Sequence, residues 1–112
     1  MPEDQMDLVT ALSGSGPAYL FHMIEVLTRA GVQGGLSEKT ALLLAAQTAY
    51  GAARMVLETG KSPEELRVQV TSPGGTTQAG LAALAQKGFQ ESVLAAVEAA
   101  RQRGAELRQM ND

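Results

Sequence analysis

The chain has 112 residues, enough for one domain with its own core but not comfortably for two. A net charge of -3 with scattered basic residues argues against a nucleic-acid or polyanion surface. The absence of cysteine excludes disulfides and thiolate chemistry and fits a reducing, cytoplasmic compartment.

Asp7 to Leu12 is predicted as a short helix ended by Ser13-Gly14-Ser15-Gly16. The acidic, polar residues before it do not read as a signal peptide. Pro17 suits the first turn of a second helix, where its missing N–H costs nothing. Tyr19, Leu20, Met23, Ile24 and Leu27 follow at helical spacing, and Gly31 and Gly34-Gly35 are expected to stop it. Ser37 is the N-cap of a third helix running to about Thr59, with Gly60 as its stop. Its middle, Ala41 to Ala46, is apolar nearly all round, so more than one face should be buried. A partner chain is the simplest way to bury it. The uncharged run from Thr40 to Ala53 is shorter than the roughly 20 residues of a membrane span.

Ser62-Pro63-Glu64-Glu65 has the capping-box layout and opens a short helix reaching about Val70. A fifth helix is expected from Thr76 to about Gln86. A sixth starts near Gly88 and aligns Phe89, Val93, Val97, Ala100, Gly104 and Leu107. Gly104 inside it marks close packing or a mild bend. No segment alternates as a strand. The fold class is therefore all-α, with five to six helices forming a dimer.

Between the fourth and fifth helices lies Val70-Thr71-Ser72-Pro73-Gly74-Gly75-Thr76-Thr77. Adjacent glycines allow a sharp turn and close approach to a ligand. A helix start with unpaired N–H groups seats an anion. An ordinary Pro-Gly turn is the alternative. Rival motifs fall away. Gly14-Ser15-Gly16 lacks both the third glycine and the preceding strand of a dinucleotide fingerprint, and no Gly-Lys-Ser/Thr follows any glycine cluster. The single histidine, His22, has no ligands spaced around it, so no metal is expected. Glu38, Glu64 and Glu65 suit helix starts and make no carboxylate pair.

Two segments, Leu12 to Tyr19 and Val70 to Leu81, resemble pyrroline-5-carboxylate reductase. So do Ala46-Gln47-Thr48, Gly51-Ala52-Ala53 and Met55 in the third helix, and Phe89, Val97 to Ala100 and Arg101 to Leu107 in the last. The resemblance covers the chain from Met6 onward. It implies reduction of 1-pyrroline-5-carboxylate to L-proline with NADPH or NADH. It also implies a nucleotide-binding Rossmann domain followed by a helical domain that interleaves with a second subunit. Residues 1–112 correspond to that second part, for dimerisation and substrate binding. The nucleotide-binding part is absent from the chain, so by itself the chain is expected to be inactive. The implied partners are a second copy, in a homodimer through interleaved helices that leaves a higher assembly open, and the small-molecule substrate, with neither nucleic acid nor membrane.

By the same resemblance Ser72, Gly74, Gly75, Thr76 and Thr77 bind substrate, with backbone N–H groups taking its carboxylate and Ser72 adding a hydroxyl. Thr77 is the catalytic candidate, its hydroxyl on the ring nitrogen. Ser13, Gly14 and Ser15 are candidates for lining the site, with a plain helix break as the alternative. Thr71 is another, unless it simply ends the preceding helix. An autonomous self-association module without chemistry is the competing reading. A reductase of the same plan acting on a different acid is a third.

Overall fold

The computed structural model describes residues 1–111. In chain order the helices are α1 (Glu3–Val9), a π-helical segment (Thr10–Gly14), α2 (Gly16–Gln33), α3 (Glu38–Thr59), α4 (Pro63–Gln69), α5 (Thr76–Gln86) and α6 (Phe89–Met110). No strand occurs among the described residues, and the all-α expectation holds. No helix among them is long and apolar enough to cross a membrane. The chain divides into two compact units, residues 21–82 and, flanking them, residues 1–20 with those from 83 on.

In the flanking unit, the first helix begins at Glu3, not at Asp7, because the Pro2 carbonyl accepts the amides of Gln5 and Met6 (3.1 and 3.0 Å). Glu3 and Asp4 then lie in the first turn, where negative charge favours the dipole. Ser13 and Gly14 do not break the helix; they continue it as a π turn in which the Ser15 amide reaches Thr10 O, five residues back, at 2.9 Å. Pro17 has no N–H to offer the Ser13 carbonyl, which favours a change of register at this point. The Thr10 and Ser13 hydroxyls donate to Met6 O and Val9 O (3.0 and 2.9 Å) and satisfy carbonyls through the transition.

α1 and the π turn pack on α6, and Ala11 is 1% exposed. Arg108 grips this packing with two ion pairs, to Glu3 at 2.7 Å and to Asp7 at 2.8 Å. Gly104 sits within α6 without breaking it, and a Cβ there would stand 3.7 Å from Asp7 Oδ1. Gly104 thus marks a close pass of α1.

In the central unit, Gly31 does not stop α2 but lies inside it. The helix ends two residues later in a Schellman motif, with Leu36 N–H to Gly31 O and Gly35 N–H to Val32 O (both 3.0 Å) and Gly35 at φ 108°. A Cβ on Gly31 would meet Ala41 Cβ at 2.9 Å, so the glycine is there for the approach of α3.

The other ends agree with the sequence reading. Ser37 Oγ accepts the Thr40 amide at 3.2 Å, and Gly60 closes α3 at φ 72°. Ser62 and Glu65 form the reciprocal capping box. The apolar middle of α3 stays largely uncovered within one chain. Ala41 and Ala45 are buried, whereas Leu42 and Leu44 are about half exposed and Leu43 is 59% exposed.

Candidate functional site

α4 ends at Gln69, and the Thr71 hydroxyl donates to Arg67 O at 2.6 Å. That bond commits Thr71 to closing the helix. Ser72 to Gly75 then form a β-turn, closed by Gly75 N–H to Ser72 O at 3.1 Å. Proline at its second position and Gly74 at φ 74° at its third give it the type II form. The next residue obeys a different constraint. Gly75 has no positive φ, but a Cβ on it would lie 2.6 Å from Ser72 Oγ and 3.2 Å from Ser72 O. The first glycine is needed for its backbone angle and the second for space.

Gly75 O accepts the Ala79 amide at 3.2 Å, so α5 begins directly on the turn. Its first three amides, on Thr76, Thr77 and Gln78, have no acceptor among the described residues. The Gly75 amide is occupied by Ser72, so the free donors sit one residue further along than expected. The hydroxyls of Ser72, Thr76 and Thr77 also have no partner among the described residues, and all three residues are exposed. No charged side chain lies between Arg67 and Lys87 in the sequence. The helix-start field therefore meets no carboxylate from this segment.

Sequence reasoning missed Gln78. Its Oε1 accepts the Gly74 amide at 2.6 Å, reaching back over the turn. The available signal was a glutamine at the third helical position, where capping-box side chains fold back on preceding amides.

Ser13, Gly14 and Ser15 belong to the flanking unit and form the π-to-α junction. Ser13 Oγ is used by Val9 O. Two cavities lie apart from the glycine segment. Both are open grooves along α2 and α3, of about 540 and 210 Å³, the larger lined by Phe21, Ile24, Arg29, Val32 and Leu42 among others. No cluster of three or more metal-ligating side chains occurs among the described residues.

The family pattern for pyrroline-5-carboxylate reductase dimerisation matches residues 3–107. The chain belongs to that family. It is 46% identical over 107 residues to pyrroline-5-carboxylate reductase 2 of Bacillus subtilis, covering 96% of this chain and 38% of that one. Its fold is similar to that of the pyrroline-5-carboxylate reductase of Coxiella burnetii, with a TM-score of 0.91 at 48% identity, covering 96% of this chain and 40% of the other. The Plasmodium falciparum pyrroline carboxylate reductase, solved with NADP bound, gives a TM-score of 0.89 at 40% identity, covering 93% of this chain and 42% of the other. The chain thus spans about two fifths of the length of these reductases.

Proposed function

We propose that this chain is the substrate-binding and self-association part of a reductase that converts 1-pyrroline-5-carboxylate to L-proline in the cytoplasm. The observation that carries the proposal is the start of α5. There, three free amides stand over a Pro-Gly-Gly turn in a chain of the reductase dimerisation family. A carboxylate can accept from the Thr76, Thr77 and Gln78 amides together, with the Ser72 hydroxyl beside them. Charge-assisted bonds to backbone amides at a helix N-terminus are the strong kind. Gly74 and Gly75 allow the approach by shaping the turn.

Thr77 has a hydroxyl next to these amides, and its role is to hold the ring nitrogen. A threonine hydroxyl is a weak acid, so it serves as an orienting hydrogen bond or passes a proton through water. Thr71 serves the helix end.

NADPH or NADH supplies the hydride when bound. The described residues do not fit a dinucleotide by themselves, because Gly14-Ser15-Gly16 runs through a helical junction and no strand precedes it. The expected seat of the nucleotide is a Rossmann domain outside residues 1–111. The family and the half-exposed leucines of α3 support the reading that the chain self-associates as a homodimer with interleaved helices.

Titration of the chain with L-proline tests the cradle: the Thr76, Thr77 and Gln78 amide resonances should shift, while those of α6 should not. No shift at those amides, together with tight self-association, would favour a helical module without chemistry. In a reductase form that includes the nucleotide-binding part, Thr77→Ala should lower turnover at least about tenfold and change stability by less than about 0.5 kcal/mol, the scale of an exposed substitution. Near-normal turnover in that folded variant would remove Thr77 from the mechanism.

A further inference from the structure

We propose that Gln78 is a positioning residue for the carboxylate cradle. Its side-chain carbonyl latches the Gly74 amide and so fixes the Pro73–Gly74 peptide in the one orientation that suits an anion. This rests on the cradle reading above.

The peptide joining the two central residues of a β-turn is its least constrained part. Type I and type II turns differ mainly by a flip of that unit. In a trans peptide the N–H and C=O point in opposite directions, so the direction of the Gly74 N–H also sets that of the Pro73 carbonyl. Here the Gly74 N–H is drawn onto Gln78 Oε1 at 2.6 Å, on the side of the turn from which α5 departs. The Pro73 carbonyl is thereby turned away from that side. After a flip, the same carbonyl would replace the N–H there and set its negative end against an incoming carboxylate.

Nothing else in the segment holds this peptide. The turn is closed by Gly75 N–H to Ser72 O, which spans the flip without opposing it. Gly74 has no side chain to resist it, and a Cβ at Gly74 would meet nothing within 4 Å. Gln78 is suited to the task because its amide oxygen accepts without bringing a charge. Glutamate would accept equally well but would place a negative charge beside the anion seat.

The test uses the chain itself and two variants. In Gln78→Met, which keeps the length of the side chain and removes the acceptor, the Gly74 amide should exchange with solvent about three- to tenfold faster, the scale of one side-chain hydrogen bond. In Gln78→Glu its protection should be kept. L-proline should bind Gln78→Met at least several-fold more weakly than the parent, with the helix content unchanged. Unaltered Gly74 exchange in Gln78→Met, or loss of protection in Gln78→Glu, overturns the latch. Equal L-proline affinity of Gln78→Met and parent overturns its positioning role. Failure of the cradle reading looks different: the parent chain shows no L-proline shifts at Thr76 and Thr77, whatever Gly74 exchange reports.

Discussion

The flanking and central units are held in opposite ways. In residues 1–20 and 83 onward, Arg108 reaches across 105 and 101 residues of sequence to Glu3 and Asp7. Asp7 is only 12% exposed in that pairing. In residues 21–82 every side-chain hydrogen bond found among the described residues joins groups two to four positions apart. The flanking unit thus closes on itself with charges. The central one is a set of well-capped helices whose apolar faces stay half exposed, the surface that the proposed self-association would use. The glycine turn lies in that central unit. Its own geometry is locally determined, while the body that carries it leaves large apolar side chains exposed.

The substitution with the largest expected effect is Leu43→Lys. A charge placed on the exposed apolar face of α3 should weaken self-association at least about 100-fold, given the roughly 1.5–3 kcal/mol of a buried leucine and the further cost of burying an ammonium. Sedimentation equilibrium reads this directly, and an unchanged dimer would remove the α3 face from the contact.

Gly75→Val comes next. Overpacking against Ser72 should lower stability by about 1–3 kcal/mol and abolish L-proline binding. Gly74→Ala should fail for backbone angle instead, so its cost should be independent of Ser72. Combining each glycine change with Ser72→Ala separates the two: only the Gly75 variant should be partly rescued.

For the flanking unit, Arg108→Met should lower stability by roughly 1–2 kcal/mol, between the values for exposed and buried pairs. Thermal melting would show it, and Asp7→Asn in the same background should add little. A full additive loss would mean that Arg108 and Asp7 act separately.

The smallest effect concerns Glu98 on α6. The hydrogen bonds from Arg101 hold its carboxyl below the usual carboxylate range, while the guanidinium is raised in turn. A depressed carboxylate contributes stability above its unfolded pKa of about 4.3 and loses it as pH falls through the folded value. Glu98→Gln should therefore lower the melting temperature slightly at pH 7, and the deficit should shrink as pH falls below the unfolded pKa. A deficit that persists in acid would point to packing, not charge.

Much of this was readable from residues close together in the chain. Ser37, the Ser62–Glu65 box, the start of α5 at Thr76 and the turn at Pro73-Gly74 are each closed by bonds within a few residues, and Gly60 ends α3 through its own left-handed backbone angle. Their chemistry therefore names them wherever they occur. The reading went wrong where a glycine or serine had two possible uses. Ser13 and Gly14 looked like a terminator but became a π turn packed on α6, and Gly31 looked like a stop but serves the approach to Ala41. Gln78 was passed over because a glutamine in a first helical turn is ordinarily a solvent-facing residue, and only the direction of its side chain makes it a latch.

By itself the sequence determined the helical class, the caps, the family and the glycine segment, because those depend on local hydrogen bonding and on side chains adjacent in the chain. Only the tertiary structure decided which glycine serves angle and which serves space, where α1 docks, and which amides remain free. Those depend on how closely segments approach and on where each N–H finally points.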